Sequence, residues 1–230
     1  MFNLIIAEAA LELVPKSICN HPSVTKYAQR RGKKPEEILL DRSYHHSAMI
    51  KLENAGKRGR PDIVHFSLLE ALGSPLNKAG LLKTFVHTID DHVIYVNRKV
   101  RLPKNYDRFI GLIEQLYRIR RIPEKGVTFL ELCEETLSLL VKNISADYVV
   151  AFTRLGKPKT IDKVALSLKD KRSPIIIVGG FPHGHFSSSV NALSNELVCV
   201  DKAPLETWIV VSRVIYEIEK AIGLCEKRLK

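Results

Sequence analysis

Residues 174–185 read Pro-Ile-Ile-Ile-Val-Gly-Gly-Phe-Pro-His-Gly-His, an apolar run that changes abruptly into a glycine-rich loop. The four β-branched residues 175–178 predict a strand that is covered on both faces, as in a parallel sheet. Gly179, Gly180 and Gly184 permit positive φ and a close approach of a ligand to the main chain. The end of this strand is therefore a candidate binding site, although an ordinary tight turn between a strand and a helix explains the same glycines.

A second apolar run, residues 197–200, ends in Asp201-Lys-Ala-Pro-Leu205 before a long amphipathic segment. Ligands of open α/β sheets bind where the carboxyl ends of parallel strands meet. The loop after residue 178 and the loop after residue 200 are therefore expected to line one pocket.

The remaining pattern predicts alternating strands and helices. Residues 2–14 predict a first strand, Ser23 is the expected N-cap of a helix over 23–31, and Asp62 opens another helix. Two runs that flank Asp90-Asp91 predict a hairpin, taken as a small β-containing insertion at approximately 75–105 of a single domain, 1–230. Further helices are predicted at 106–119, 129–140, 161–168 and 205–224, and strands at 148–152, 175–178 and 198–200. This alternation predicts an α/β fold with a mostly parallel sheet.

Composition excludes several classes of protein. Hydrophobic residues make up 45% of the 230 residues and charged residues 27%, which is typical of a globular chain. No apolar run approaches the roughly 20 residues that a spanning helix needs, so no membrane partner is predicted. The four cysteines are far apart and form no C-x-x-C pair, which argues against a zinc ribbon or a disulfide framework. A cytoplasmic location is expected.

The positive charge is concentrated in the first half of the chain. The formal net charge is +11, and residues 1–121 contain 21 Lys and Arg against 12 Asp and Glu, which is a net +9. Such asymmetry is expected where one region neutralises phosphates and another has a different task. Nucleic acid is therefore the leading partner class, with a merely soluble basic surface as the alternative.

Basic residues cluster at 57–60 and 98–104, and Arg108 follows. Arg60 precedes Asp62 at the start of a helix, where a carboxylate can cap free N–H groups and also hold a guanidinium for phosphate recognition. Tyr106 and Phe109 interleave with these residues and could stack on bases, although helix aromatics more often belong to the core.

Several familiar catalytic patterns are absent. The sequence contains no G-x-S-x-G elbow, no G-x-x-x-x-G-K-[ST] loop and no H-E-x-x-H helix. His183 and His185 stand in the glycine loop without an acidic or thiol partner at a convincing spacing, so no metal site is predicted. The spacing of the glycines also differs from a dinucleotide-binding fingerprint.

Four motifs occur in order along the chain: Arg60-Pro-Asp-Ile-Val-His-Phe-Ser-Leu-Leu69, Val100-Arg-Leu-Pro-Lys-Asn-Tyr-Asp-Arg-Phe109, Val178-Gly-Gly-Phe-Pro-His-Gly184 and Pro204-Leu205. Together they resemble the SPOUT-class ribosomal RNA pseudouridine N1-methyltransferases of small-subunit biogenesis, and the compact chain is similar to archaeal members. The resemblance covers nearly the whole sequence. The resemblance implies a SPOUT methyltransferase fold with a C-terminal deep trefoil knot, which is an exception to the rule that chains avoid threading.

The resemblance also implies site residues and partners. S-adenosylmethionine would be the methyl donor, and the chain would act as a homodimer with apolar contacts from the 205–224 helix. Small-subunit ribosomal RNA would contact Arg60, held by Asp62, and also Arg101, Lys104 and Arg108. Lys104 departs from the arginine of some relatives, which puts bidentate phosphate binding there in doubt. The residues implied for the donor are Thr153, Gly179, Gly184, Val200, Asp201, Lys202, Ala203, Pro204 and Leu205.

The implied reaction is methylation of N1 of a pseudouridine in small-subunit (16S-type) ribosomal RNA. The activated sulfonium needs little acid–base help, and no general base is assigned. Two alternatives remain open: a noncatalytic RNA-binding ribosome assembly factor with the same fold, and a SPOUT methyltransferase that acts on transfer RNA.

Overall fold

The computed structural model describes residues 1–229 and contains one eight-stranded mixed sheet with the order β4-β5-β3-β2-β1-β7-β6-β8. The strands are β1 Phe2–Ala9, β2 Leu82–Thr88, β3 His92–Val96, β4 Arg121–Ile122, β5 Leu130–Glu134, β6 Tyr148–Pro158, β7 Pro174–Gly179 and β8 Glu196–Cys199. The helices are α1 Pro22–Arg30, α2 Arg42–Met49, α3 Pro61–Gly73, α4 Pro75–Lys78, α5 Tyr106–Ile119, α6 Leu137–Ile144, α7 Ile161–Leu168, α8 Ser188–Leu193, α9 Thr207–Ala221 and α10 Leu224–Leu229.

Five neighbouring strands are parallel, which confirms the predicted α/β sheet. They run in the order β2-β1-β7-β6-β8, and β3, β5 and β4 add an antiparallel edge. The predicted hairpin is present, because β2 and β3 pair antiparallel around Asp90-Asp91. Since β2 also pairs with β1, both strands of the expected insertion belong to the common sheet. The limits of the insertion at 75–105 stay a prediction.

Apolar side chains cover both faces of the central strand β7, as its β-branched sequence predicted. Ile176 and Val178 face a core that α3, α7 and α9 close, and α5 extends this layer over the antiparallel strands. Ile175 and Ile177 face the opposite layer, which α6 and α8 form. Helices α1 and α2 enclose a separate apolar cluster beside the sheet. No helix within residues 1–229 combines the length and apolar character needed to cross a bilayer.

Several predicted elements differ from the structure. The strand predicted at 148–152 continues to Pro158, and the helix predicted at 205–224 spans Thr207–Ala221 and is followed by the separate α10. The first strand ends at Ala9, and the apolar residues after it turn into the α1–α2 cluster and the core under α5. The N-cap of α1 is His21, whose Nδ1 accepts the N–H of Ser23 at 3.2 Å, because Pro22 occupies the first helical position. Residues 129–140 were expected to form one helix and instead form β5 and the start of α6, since β5 pairs with β3.

Candidate functional site

A cavity of about 360 Å³ opens at the carboxyl ends of β6, β7 and β8, where α9 begins. Its size falls in the range of small-molecule sites. Its walls are formed by Phe152, Thr153, Arg154, Val178, Gly179, Phe181, Pro182, His183, Gly184, His185, Phe186, Val198, Val200, Asp201, Ala203, Pro204, Leu205, Thr207 and Val210. The two strand-end loops that the sequence singled out therefore line a single cavity, as expected.

The structure brings together eight of the nine residues implied for the methyl donor. They are Thr153, Gly179, Gly184, Val200, Asp201, Ala203, Pro204 and Leu205. Lys202 is exposed and does not line the cavity. Sequence reasoning did not assign Phe181 or Arg154 to the site. The change from apolar residues to glycines could have indicated Phe181, because this residue lies between Gly180 and Gly184 in the same loop.

The end of β6 turns around β8 and forms one wall. Val198 of β8 is paired in register with both Phe152 and Lys157, so residues 153–156 bulge over the strand end. Gly156 lies so close that a Cβ there would be 2.5 Å from the carbonyl carbon of Leu197 and the nitrogen of Val198. Only a residue without a side chain fits against this main chain.

The loop between β7 and α8 is fastened from outside by an ion pair. The buried Glu8 carboxylate accepts a hydrogen bond from the Lys57 ammonium at 2.8 Å and another from the main-chain N–H of Ser187 at 2.9 Å. The Lys57 Nζ lies 4.3 Å from the centre of the Phe181 ring, at cation–π distance. The Glu8–Lys57 ion pair thus holds both ends of the loop that forms a cavity wall.

Hydrogen bonds also fix the other side of the cavity. The Thr207 hydroxyl at the start of α9 donates to the Gly179 carbonyl at 2.7 Å, which ties α9 to the end of β7. The Asp201 carboxylate accepts the N–H of Ala203 at 2.8 Å and shapes the loop before α9. These two hydrogen bonds hold the start of α9 and the loop before it at the cavity.

Arg60 and Asp62 form the pair that the sequence predicted. The guanidinium donates from Nε to Oδ1 at 2.8 Å and from Nη2 to Oδ2 at 2.7 Å, and this bond raises the pKa of Arg60. The Arg60 N–H donates to the Ala10 carbonyl at 3.3 Å, and the Ala10 N–H donates to the Gly180 carbonyl at 2.8 Å. Two successive hydrogen bonds therefore connect Arg60 to the glycine loop of the cavity.

The other basic residues implied for RNA are exposed on the segment that leads into α5. Arg101 and Lys104 precede the helix and Arg108 lies in its first turn. His65 of α3 donates from Nε2 to the Pro103 carbonyl at 2.7 Å, which fixes this segment against α3. Arg60, Arg101, Lys104 and Arg108 thus lie on two adjoining elements, and we call these four residues the basic strip.

The two aromatic residues considered for base stacking are both engaged inside the chain. Phe109 is fully buried, and the His65 ring stacks on it with centroids 4.3 Å apart. Tyr106 donates its hydroxyl to Asp41 Oδ2 at 2.6 Å, and burial raises the pKa of this phenol well above its usual value. Phe109 is therefore core, the more common role of a helix aromatic.

Metal-binding side chains do not gather at the cavity. Across residues 1–229, His, Cys, Asp and Glu side chains form no group of three or more that could hold a metal ion. His183 and His185 line the cavity as exposed side chains of the glycine loop.

Residues 4–219 match the family described as EMG1/NEP1 methyltransferase. The chain belongs to this family. The Ribosomal RNA small subunit methyltransferase Nep1 of Thermococcus onnurineus is 46% identical over 222 residues, which cover 95% of this chain and 98% of the relative. The protein of the same name from Pyrococcus furiosus is 47% identical over 220 residues, 94% of this chain and 96% of the relative.

A solved structure from the EMG1/NEP1 family is also similar. The crystal structure of Archaeoglobus fulgidus Nep1 bound to S-adenosylhomocysteine has a TM-score of 0.85 and 38% sequence identity. The superposition covers 96% of this chain and 98% of that chain. The fold is therefore shared across almost the full length of both chains.

Proposed function

We propose that this chain transfers a methyl group from S-adenosylmethionine to N1 of a pseudouridine in small-subunit (16S-type) ribosomal RNA. The observation that carries the proposal is the main-chain hydrogen bonding from Arg60 through Ala10 to Gly180, which joins the proposed phosphate-binding residue to the loop that forms a cavity wall. Membership of the EMG1/NEP1 family supports it, as do relatives named ribosomal RNA small subunit methyltransferases. The Archaeoglobus fulgidus relative binds S-adenosylhomocysteine, the product that the donor leaves after methyl transfer.

The cavity fits such a donor in size and in the kinds of groups that it offers. Apolar walls suit the adenine ring, while main-chain groups of residues 200–205 and the Asp201 carboxylate suit polar and positively charged parts. Thr153 and Arg154 add a hydroxyl and a guanidinium at the same cavity. When bound, the donor supplies a methyl group on a positively charged sulfur. Gly179 and Gly184 leave room for close approach to the main chain.

The basic strip is proposed to hold the RNA by its phosphates. Arg60 is oriented by both oxygens of Asp62, and the pairing leaves part of the guanidinium accessible, with 34% of the side chain exposed. Arg101, Lys104 and Arg108 are exposed, so each can approach a phosphate without losing an internal partner. The basic strip positions the RNA strand, and the cavity receives the target base.

In the proposed reaction the N1–CH3 bond forms as the S–CH3 bond breaks, and N1 loses its proton. Orientation of the two reactants in the cavity supplies much of the rate. Both Asp62 oxygens accept hydrogen bonds from Arg60, so the pairing alone accounts for this carboxylate. Solvent suffices to receive the N1 proton.

We further propose a SPOUT fold with a C-terminal deep trefoil knot, a homodimer and a cytoplasmic location. In support of the knot, β8 lies beside β6, β6 turns over β8, and α9 returns to the end of β7 through Thr207. In support of the dimer, α9 carries exposed Ile209 and Tyr216, and its Trp208 packs edge-on against the exposed Phe66 of α3. Apolar side chains on adjacent helices suit an interface between two copies.

The test is methyl transfer from radiolabelled S-adenosylmethionine to matched hairpins that carry either uridine or pseudouridine at one loop position. Label only in the pseudouridine hairpin is the expected result. Binding of both hairpins without label in either would instead support the noncatalytic assembly factor. Label in transfer RNA, with none in either hairpin, would support the transfer-RNA methyltransferase and contradict the proposal.

A further inference from the structure

Helices α1 and α2 carry basic side chains and no acidic residue within their own spans. Their sequences are Pro-Ser-Val-Thr-Lys-Tyr-Ala-Gln-Arg and Arg-Ser-Tyr-His-His-Ser-Ala-Met, which contain three cations and no Asp or Glu. Lys26 and Arg30 of α1 are exposed. A surface with one sign of charge attracts a polyanion over several ångströms. The proposed reaction assigns no role to this helix pair.

Two tyrosines stack between these helices. The rings of Tyr27 on α1 and Tyr44 on α2 have centroids 4.2 Å apart and planes inclined by 22°. Tyr44 is 42% exposed, whereas Tyr27 is half-buried and accepts a hydrogen bond from Arg31 Nη1 at 3.0 Å. Arg31 in turn pairs with the buried Glu114 at 2.9 Å. We call Tyr27 and Tyr44 the tyrosine platform, in which the inner ring is fixed and the outer ring faces solvent.

Hydrogen bonds connect the platform to the basic strip. Asp41 caps α2 by accepting the N–H of Ser43 at 2.8 Å, and its other oxygen accepts the Tyr106 hydroxyl, two residues before Arg108. The N–H of Arg42 donates to the Gly59 carbonyl at 2.9 Å, immediately before Arg60. Helix α2 is therefore held directly to both segments that carry the basic strip.

We propose that the tyrosine platform stacks on an unpaired base of the RNA strand whose phosphates contact the basic strip. The inference rests on the proposed function, because it assumes RNA as the substrate. Single-stranded RNA is held by aromatic faces combined with nearby cations, and a face that is already stacked on one side offers a rigid support. Arg30 follows Tyr27 by three residues, so it lies on the same face of α1 and can contact the adjoining phosphate.

Packing between α1 and α2 is the competing explanation for the stacked pair. Packing accounts for the ring face of Tyr44 that touches Tyr27, but it does not require an aromatic residue with 42% exposure. It also does not explain the exposed Lys26 and Arg30 on the adjoining helix, which form no ion pair with other residues of 1–229. The two explanations differ in what they predict for RNA affinity, since a packing contact changes stability alone.

The experiment measures the affinity of the full chain for a pseudouridine hairpin with Tyr44→Ala, Tyr44→Phe and a matched exposed aromatic, Phe129→Ala. Phe129 is 37% exposed and immediately precedes β5 in the antiparallel edge of the sheet. Tyr44→Ala is expected to weaken binding about tenfold, the range of one base–aromatic stack, without changing the slope of log K against log salt. Tyr44→Phe and Phe129→Ala are expected to stay within about twofold, because phenylalanine keeps the aromatic face and Phe129 lies outside the platform. Lys26→Ala with Arg30→Ala is expected to lower that slope, by up to about one unit per lost phosphate contact.

Hairpins with single abasic sites show whether a base is the partner. An abasic site at the stacked position should weaken binding to wild type and leave the affinity of Tyr44→Ala unchanged. This comparison identifies the stacked base even if Tyr44→Ala melts at a lower temperature than wild type. Equal RNA affinity of wild type and Tyr44→Ala would overturn the proposal for the tyrosine platform, as would a loss of affinity in Tyr44→Phe equal to that in Tyr44→Ala. Methylation by wild type would still support the proposed function in either case. Absence of RNA binding by wild type would overturn both.

Discussion

The cavity region, residues 152–210, and the basic region, residues 1–121, differ in the kinds of groups that hold them together. Loop main chain and apolar side chains contribute much of the cavity wall, and the fit of Gly156 against β8 leaves no space. In the basic region, buried carboxylates hold several cations: Glu8 pairs with Lys57, Glu12 with Arg58 and Glu114 with Arg31. Of nine buried carboxyl and imidazole groups within residues 1–229, seven precede Arg121: Glu8, Glu12, Asp41, His45, His65, His87 and Glu114. The cavity should therefore respond to volume, and the basic region to charge, salt and pH.

Gly156→Ala is expected to have the largest effect. A Cβ there meets main-chain atoms that cannot rotate away, so residues 153–157 must move from β8 and displace the cavity wall. We expect loss of methyl transfer by roughly 100-fold or more, because misplacement of about 1 Å can have that effect. RNA affinity should remain, since the basic strip lies elsewhere. Binding isotherms for the donor and for RNA, measured separately, check this.

Gly111→Ala is the matched control. A Cβ on Gly111 meets nothing within 4 Å, and alanine favours the α5 helix that contains it. This variant should keep full activity. Equal losses in the two alanine variants, or a Gly156→Ala protein that binds donor normally, would contradict the volume argument.

Arg60→Ala tests the opposite region. Loss of the guanidinium is expected to weaken RNA binding about tenfold and to lower the salt slope by about one unit, with donor affinity unchanged. Arg172→Ala removes an exposed arginine of the second half and should change neither quantity. Fluorescence anisotropy at several salt concentrations distinguishes them. A donor affinity that falls together with RNA affinity would show that the two regions are not separable.

Two neighbouring ion pairs show where the regions meet. Glu8–Lys57 touches the cavity loop through Ser187 and Phe181, whereas Arg58 binds Glu12 at 2.7 and 2.6 Å. Both Glu8→Gln and Glu12→Gln should reduce the free energy of unfolding, by about 1–3 kcal/mol, because each leaves a partly buried cation without its partner.

Only Glu8→Gln is expected to weaken donor binding, by about fivefold, a change of about 1 kcal/mol. Isothermal titration with S-adenosylhomocysteine, beside denaturant unfolding of both variants, measures the two effects separately. Similar donor affinities in Glu8→Gln and Glu12→Gln would mean that the ion pair supports the fold and does not position the loop.

Local patterns were sufficient where local interactions determine the structure. The helix over 161–168 and the loop after Val178 were predicted from periodicity and glycine placement, and the structure confirms both. Residues 130–134 became a strand because pairing with β3, distant in sequence, outweighs their helical pattern. The Glu8–Lys57 ion pair also joins residues far apart in sequence, so no local pattern could indicate it.

The smallest expected effect is a loss of stability in mild acid, arising in the basic region. Burial lowers the pKa of His45 and of His65 below the ordinary 6.5, because the interior disfavours the charged imidazolium. The folded chain then binds fewer protons than the unfolded chain between the lowered pKa and 6.5. Stability from these groups is complete above pH 6.5 and is lost as the pH falls below it.

His65→Gln keeps a side-chain N–H for the Pro103 carbonyl and removes the titration. Denaturant unfolding from pH 7.5 to 5 should therefore show a smaller decline in this variant than in wild type. Comparison of the two separates His65 from Glu12, whose pKa burial raises and whose contribution changes in the opposite direction. His185→Gln, at an exposed cavity residue, should follow wild type. Parallel curves for His65→Gln and wild type would show that the buried imidazole does not make the basic region sensitive to acid.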